Sequence, residues 1–297
     1  MTIHKDSTMQ QTTNDRPISP IYSHATQKGT QPLPGIKNIL AVGSGKGGVG
    51  KSTTAVNLAF SLQLLGAKVG ILDADIYGPS QPHLLGLAQS DKPSVKENQF
   101  EPLSAYGLKS MSIGYLIDAS APTIWRGPMV SGALLQLLNQ TAWGQLDYLI
   151  VDLPPGTGDI QLTLAQKIPV SGAIIVTTPQ DLALLDARKA VAMFQKVGIA
   201  VLGVIENMST YTCPHCQHNV PIFGEAGGEQ LSQQYSLPFL GQLPLATTVR
   251  VAADKGVPTV MANPESEIAL LYRDIASKVM VELGKKPREY RIPSKTE

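Results

Sequence analysis

Five short apolar runs, separated by stretches long enough to form helices, constrain the fold of this chain more than any other feature. They begin at residues 38, 67, 146, 172 and 199 and have the sequences NILAVGS, AKVGILDAD, LDYLIVD, GAIIVTT and IAVLGVIEN. Strands that are apolar on both faces are typical of a parallel sheet that lies between two layers of helices. The sequence therefore predicts one doubly wound α/β domain, with a mainly parallel sheet and helices on both faces.

The expected domain spans residues 36–284 and has a polar segment at each end. Residues 1–35 are rich in Gln, Thr, Ser, Asp and Pro, a composition that buries too little apolar surface to offset the entropy of ordering. We interpret them as a disordered tail, and residues 285–297 as a solvated C-terminal tail. The last helix is expected to begin at Asn263 as its N-cap, with Pro264 as its first residue, and to pack an apolar face on the sheet.

Charge and hydropathy exclude several classes of partner. The net charge is +1 and 16% of the residues are charged, so no global field draws the protein onto nucleic acid or an anionic membrane. No apolar run approaches the ~18 residues of a membrane span, and the N-terminal sequence MTIHKDSTMQQ lacks the apolar region of a signal peptide. We therefore expect a cytoplasmic protein with no nucleic-acid or membrane partner.

A glycine-rich segment follows the first apolar run. It satisfies G-x-x-x-x-G-K-S/T and precedes a helix expected over Lys51–Leu65. Such a loop lets backbone N–H groups converge on phosphate oxygens, next to the positive end of the helix. Lys51 should reach the β and γ phosphates of ATP and the Ser52 hydroxyl should coordinate Mg²⁺; a glycine-rich turn without a ligand is the alternative. The predicted nucleotide site comprises Gly45, Lys46, Gly47, Gly48, Val49, Gly50, Lys51, Ser52 and Thr53.

Carboxylates stand at the ends of two of the apolar runs. Asp152 ends YLIV and precedes LPPGTGD, so we interpret it as a Walker-B acid followed by a flexible loop in which Gly156 can follow the γ phosphate. Asp73 and Asp75 end VGIL, and Mg²⁺ takes such oxygen ligands, often through its waters. The alternative is that these carboxylates cap the next helix. This alternative is stronger for Asp73 than for Asp75 and Asp152. No strong general base is evident, so Lys51, Lys46 and Mg²⁺ would act by neutralising charge, and turnover should be slow.

The chain has only two cysteines, Cys213 and Cys216, in the polar segment MSTYTCPHCQHNVPIFGEAGG. This count excludes a disulfide-stapled secreted scaffold. Three alternatives remain: a redox pair, a zinc site with His215 and His218, and two incidental thiols. A redox pair would favour a position at a helix N-terminus. Zinc needs four ligands, and here the two cysteines and two histidines would have to supply them within six residues. A [4Fe-4S] cluster requires four thiolates, which a two-fold dimer would supply.

A second lysine, Lys46, lies inside the glycine-rich loop. The segment GKGGVGKST resembles the deviant Walker A motif of the MinD/ParA/nitrogenase-iron-protein class. The resemblance implies that Lys46 reaches across a dimer interface to the partner's nucleotide, and that Asp75, the second acid of D-x-D, belongs to the first switch and helps to position the attacking water. The alternative is that Lys46 merely adds local positive charge. The loop and the cysteine pair both indicate a homodimer.

Four more segments extend the resemblance over roughly residues 36–285. Together with the loop, LDADIYGPSQPHLLG, WRGPM, VDLPPGTGD and ENMSTYTCPHCQH resemble the Mrp/ApbC family of iron–sulfur cluster carrier ATPases. The family implies a labile [4Fe-4S] cluster between subunits, held by Cys213 and Cys216, with apo iron–sulfur proteins and cluster-assembly scaffolds as partners and ATP as the gate. It also implies that Asn207 contacts the adenine and that residues 243–258 help to wall the base.

Two other functions compete with the carrier. The first is a MinD/ParA-type positioning ATPase that acts on membrane or DNA; it leaves the cysteine pair unexplained. The second is an electron-donating reductase like the nitrogenase iron protein, whose cluster cysteines are far apart in sequence, whereas Cys213 and Cys216 are close. His83 is expected to be structural.

Overall fold

The computed structural model describes residues 20–87, 91–116, 127–213 and 215–289. Its main sheet has nine strands: β1 (Ile36–Gly43), β2 (Val69–Asp73), β5 (Leu103–Ala105), β6 (Leu108–Ser112), β7 (Leu146–Asp152), β8 (Gly172–Thr177), β9 (Val201–Thr212), β10 (Asn219–Val220) and β11 (Phe239–Leu245). A separate ribbon pairs β3 (Val95–Lys96) with β4 (Gln99–Phe100). The helices are α1 (Lys51–Leu64), α2 (Gln81–Leu84), α3 (Gly127–Gln140), α4 (Asp159–Lys167), α5 (Asp181–Lys196), α6 (Gly227–Tyr235), α7 (Thr247–Asp254), α8 (Thr259–Ala262) and α9 (Glu267–Gly284).

The sheet has the order β10-β9-β8-β1-β7-β2-β6-β5, and β11 also pairs with β9. The pairs that involve β1, β2, β7, β8 and β11 are parallel, whereas β5–β6 and β9–β10 are antiparallel. Helices α3, α4 and α5 supply one buried apolar cluster and helices α1 and α9 supply the other. The doubly wound fold predicted from the apolar runs is confirmed.

Parallel strands bring their carboxyl ends to one edge of the sheet. All six residues of β8 are buried, as are the last five of β7, so both strands lie in the middle of the fold. Asp73 pairs with Asp152 across β2 and β7, and Val42 of β1 pairs with Asp152 on the other side. The residues that follow β1, β2 and β7 therefore meet at one edge.

None of the helices in the described part of the chain has both the length and the apolar character that a membrane span requires.

The last helix starts later than expected. Its N-cap is Ser266, whose Oγ accepts a hydrogen bond from the N–H of Ala269 at 3.2 Å. Asn263 instead ends α8, and its carbonyl accepts bonds from the N–H and the hydroxyl of Ser266. The prediction of an Asn263 cap was therefore wrong, because a tight turn over residues 263–266 precedes the helix. Of the apolar face, Tyr272, Ile275 and Val279 are buried and Ile268 and Leu271 are partly buried.

The segment before β1 contacts the body of the domain. The backbone N–H and the Nδ1 of His24 lie 3.0 and 2.9 Å from Asn38 Oδ1, and His24 is buried. Gln27, also buried, donates to the carbonyls of Ala165 and Ile168 and accepts from the N–H of Val170. The sequence places the start of the domain at residue 36, whereas in the structure residues 22–27 already contact the domain. Composition does not predict these contacts, because they are made by polar side chains rather than apolar ones. The expectation for residues 1–19 lies outside the described residues.

Replacing Gln27 by Ala should lower the free energy of unfolding by about 2 kcal/mol, because it leaves buried carbonyl and N–H groups without partners. Urea titration measures the change. Lys28→Ala, a substitution at the exposed neighbour, is the matched control and should stay within about 0.5 kcal/mol of the unmodified protein. Equal stability of the two variants would show that the segment does not anchor α4.

Candidate functional site

The glycine-rich loop joins β1 to α1, and the helix begins at Lys51 as predicted. Gly48 and Gly50 have left-handed φ values of 82° and 80°, which glycine adopts without the penalty of other residues. Gly50 is the N-cap of α1 and has no side chain with which to cap it. The first N–H groups of the helix are therefore free of a side-chain cap and suited to bind an anion.

A cavity of about 490 Å³ lies over this loop. Of the predicted residues, its lining contains Lys46, Gly47, Gly48, Gly50, Lys51, Ser52, Thr53 and Asp75; other lining residues include His83, Pro155 and Asp254. Gly45, Val49, Asp152 and Asn207 lie outside the lining. Asn207 contacts the loop at Val49, and Asp152 contacts Lys51 at the start of α1. The structure thus brings most of the predicted site to one cavity. Ala253 and Asp254 of α7 also line it, and they belong to residues 243–258, which the resemblance implies help to wall the base.

A buried ion pair lies beneath the cavity. Lys51 Nζ contacts Asp152 Oδ1, and the two side chains are 6% and 0% exposed. The same Nζ lies 3.3 Å from Ser52 Oγ. The lysine expected to bind phosphate and the expected Walker-B acid are therefore in direct contact, so Asp152 balances the charge of Lys51.

Sequence reasoning missed Gln81, the first residue of α2. Its Nε2 donates to Asp152 Oδ2 at 2.9 Å and to the carbonyl of Ser52 at 3.1 Å. The residue is fully buried. A glutamine carries no charge and fits no nucleotide motif, so only its place in the segment GPSQP after D-x-D could have drawn attention to it.

Asp73 and Asp75 occupy different environments. Asp73 is fully buried and accepts bonds from the N–H of Asp75 (3.1 Å), the N–H of Gln81 (3.0 Å) and the hydroxyl of Ser112 (3.2 Å). It thus binds the first N–H group of α2, in keeping with the alternative that a carboxylate at a strand end caps the next helix. Burial, followed by the charge of Asp152, raises the pKa of Asp73 to about 7. Asp75 lines the cavity, and burial is also the main cause that raises its pKa.

Asn207, near the middle of β9, lies against the loop. Its Nδ2 donates to the carbonyl of Val49 at 2.9 Å, and a Cβ on Gly50 would lie only 2.2 Å from that nitrogen. The amide expected to contact adenine is thus also a support for the phosphate loop.

The surface beside the loop is partly apolar. A Cβ on Gly45 would meet backbone atoms of Asp186 at 2.1 Å, so α5 lies directly against the loop. Leu182 and Leu185 of α5 are exposed by 71% and 49%. Lys46 forms no salt bridge with any described residue. Exposed apolar side chains of α5 and the charge of Lys46, which no described residue pairs, therefore lie on the same surface beside the loop.

The two cysteines lie in the hairpin between β9 and β10. The pairs Thr212–Asn219 and Tyr211–Val220 close its stem, and the N–H of Cys213 donates to the carbonyl of His218 at 3.0 Å. Both thiols are free; Cys213 is half-buried and Cys216 is exposed. Hydrogen bonds from the backbone N–H groups of Cys216 and His215, and then from the Cys216 thiol, lower the pKa of Cys213.

No zinc site of one subunit forms around this hairpin. Among the residues that the structure describes, no group of three or more His, Cys, Asp or Glu side chains could hold a metal ion. His215 and His218 therefore do not join the thiols. Pro214, between the cysteines, and Trp125 and Arg126 of the WRGPM segment lie outside the described residues.

A doubly wound sheet with a phosphate-binding loop after its central first strand, a lysine at the start of the next helix and an acid at the end of the adjacent strand defines a P-loop NTPase. Residues 35–280 match the family model described as ParA, NUBPL iron-transfer P-loop NTPase. The chain belongs to this family, which confirms the resemblance identified in the sequence.

The relatives include proteins from bacteria and animals. The iron-sulfur cluster carrier protein of Pseudomonas fragi is 58% identical over 257 residues, which are 86% of this chain and 90% of the relative. The iron-sulfur cluster transfer protein NUBPL of Mus musculus is 49% identical over 86% of this chain and 81% of its own length.

Solved structures agree on the fold. A nucleotide-binding protein of Archaeoglobus fulgidus in complex with ADP is 40% identical and has a TM-score of 0.67, over 75% of this chain and 88% of that one. The septum site-determining protein MinD of Pyrococcus horikoshii, complexed with Mg-ADP, has a TM-score of 0.58 at 23% identity, over 82% and 95% of the two chains. The second likeness shows the fold alone.

Gly50→Ala should lower the free energy of unfolding by at least about 2 kcal/mol, because it adds left-handed strain and drives a Cβ into Asn207. Gly198→Ala is the control: Gly198 also has a positive φ, 74°, but a Cβ there meets nothing within 4 Å, so only strain of about 1 kcal/mol is expected. Chemical denaturation measures both.

Adding Asn207→Ala to Gly50→Ala should recover part of the loss, because the side chain that the Cβ meets is then gone. A double-mutant cycle measures this coupling. Strict additivity of the two substitutions would contradict the close approach of Asn207 to the loop.

Proposed function

We propose that this protein is an ATP-dependent carrier that binds a labile [4Fe-4S] cluster at a homodimer interface and transfers it to apo iron–sulfur proteins. The observation that carries the proposal is the pair of free thiols in the β9–β10 hairpin, which no other His, Cys, Asp or Glu of the described residues joins in a group that could hold a metal ion. The names of the relatives, cluster carrier and cluster transfer proteins, support the same function. The cluster is the cargo of this protein, received from assembly scaffolds.

The hairpin suits a cluster that must be both bound and released. Thiolates are the ligands of iron in such clusters, and the N–H groups directed at Cys213 favour its thiolate form. Exposure of Cys216 leaves the site accessible to an acceptor protein. Two thiolates are half of a [4Fe-4S] ligand set, so we infer that two hairpins meet at a two-fold axis.

The cavity over the loop is the proposed ATP site, formed by Gly45–Thr53 with Asn207 beside the base. We propose that Lys51 leaves Asp152 to bind the β and γ phosphates, and that Asp75 orients the attacking water. Ser52 and Asp75 place oxygen donors in the same cavity, a set that suits Mg²⁺, with Ser52 as its ligand. Mg²⁺, when bound, would neutralise phosphate charge. We assign no general base, so hydrolysis should be slow.

The edge beside the cavity is the proposed dimer surface. Lys46 has no ion-pair partner among the described residues, and the exposed Leu182 and Leu185 of α5 supply apolar surface beside the loop. A second copy of the chain would cover these side chains and bring its nucleotide to Lys46. The cysteine count and the phosphate loop thus support the same assembly independently.

Anaerobic reconstitution with iron and sulfide should yield about four irons per dimer, as four thiolates per cluster require. Cys213→Ser and Cys216→Ser should each abolish the brown chromophore and the bound iron. His218→Ala, in the same hairpin, is the control and should retain both. Zinc as the sole bound metal of the unmodified protein, or iron retained after loss of both thiols, would contradict the carrier.

Lys46→Ala should lower ATP turnover at least about tenfold, because one cation is lost from the developing phosphate charge, and should abolish nucleotide-dependent dimerisation. Steady-state hydrolysis and light scattering measure the two effects. Lys278→Ala, which removes a lysine paired with Asp274 on α9, is the matched control. Full turnover and dimerisation of Lys46→Ala would exclude a role across the interface.

A further inference from the structure

Gln81 is the residue at which three parts of the candidate nucleotide site meet. Its backbone N–H binds Asp73 at the end of β2, and its side-chain amide binds Asp152 at the end of β7 and the carbonyl of Ser52 in α1. It is also the first residue after the loop that carries Asp75, and it is fully buried. One residue, through its backbone and its side chain, therefore joins the start of α1, the proposed Walker-B acid and the segment of the proposed first switch.

The orientation of the amide is fixed by its partners. Both Asp152 Oδ2 and the Ser52 carbonyl are acceptors, so the nitrogen must face them, and a flipped amide would set oxygen against oxygen. The oxygen, Gln81 Oε1, is consequently turned away from both. It is buried and has no hydrogen-bond partner among the described residues.

Native proteins satisfy nearly all buried polar groups, and the nitrogen of this amide has two acceptors. They belong to Ser52, the proposed ligand of Mg²⁺, and to Asp152, whose other oxygen contacts Lys51. If Lys51 turns from Asp152 to the phosphates, the Gln81 amide remains as a hydrogen-bond donor to the Asp152 carboxylate.

We propose that Gln81 is a positioning residue for the nucleotide reaction: its Nε2 holds Asp152 against the start of α1 when Lys51 turns to the phosphates. This inference rests on the proposed nucleotide site. Gln81 touches neither the phosphates nor the attacking water and acts through Asp152 and Ser52.

Gln81→Met tests the proposal, because it keeps the length of the side chain but removes both the donor and the acceptor. Calorimetry with a non-hydrolysable ATP analogue, in EDTA and in excess Mg²⁺, separates nucleotide affinity from the gain due to Mg²⁺. In EDTA, the Kd of the variant for the analogue should lie within about threefold of that of the unmodified protein. The increase in affinity that Mg²⁺ causes should be about tenfold smaller in the variant, which is the size expected for one hydrogen bond. Its kcat should fall about tenfold while KM changes less.

Gln63→Met is the matched control. Gln63 lies near the far end of α1, its Nε2 donates to the carbonyl of Tyr106 at 3.2 Å, and its Oε1 is likewise buried without a partner. This variant should keep the full Mg²⁺-dependent gain. If Gln81→Met does not fold, Gln81→Asn, which retains the amide but withdraws it by one methylene, provides the same test.

A Mg²⁺-dependent gain and a kcat equal to those of Gln63→Met would overturn the positioning role of Gln81. Unmodified protein that binds no nucleotide in either condition would overturn the proposed nucleotide site itself. The two failures are distinguishable, because the first requires a normal response of the unmodified protein to Mg²⁺.

Discussion

The Lys51–Asp152 ion pair is the interaction on which the rest of the site depends. Both charges are almost completely withdrawn from water, and removal of one partner from such a pair typically costs about 3–5 kcal/mol, because the other charge is left buried. The pair fixes the start of α1 to the end of β7 in the centre of the sheet. Phosphate oxygens are a chemical substitute for the carboxylate that Lys51 contacts here, so in the proposed nucleotide complex Lys51 exchanges one anionic partner for another.

That exchange determines which neighbouring groups must be held. When Lys51 turns away, the Asp152 carboxylate loses its cation but keeps the amide of Gln81. Asp73, next to it, has a raised pKa because of burial and the charge of Asp152. A protonated Asp73 reduces the negative charge at the edge of the sheet, and its hydrogen bonds hold the first residue of α2. Asp73, at the end of β2, thus binds the start of α2, whereas Asp152, at the end of β7, contacts Lys51.

Much of the fold was predictable, because a buried parallel strand has to be apolar on both faces and a phosphate loop has to contain glycine. The start of α1 at Lys51 follows from these requirements. The cap of α9 did not, since Asn263 and Ser266 are both good caps and only the turn between them selects Ser266. His24, Gln27 and Gln81 act through buried hydrogen bonds whose partners are up to 143 residues away, and neither composition nor periodicity contains that information.

The two proposed sites share one strand. Asn207 supports the phosphate loop, and Cys213 follows the end of β9 six positions further along the chain, so about 20 Å of extended chain separate the contact with Val49 from the first thiol. Between them Met208 has a positive φ of 57°, and the pairing of β9 with β11 shifts register. The fully buried part of β9 thus ends next to the proposed nucleotide site, and the part that leads to the thiols is less buried. Any movement of the loop that displaces Asn207 would therefore act where β9 passes from its buried part to the part that leads to the thiols.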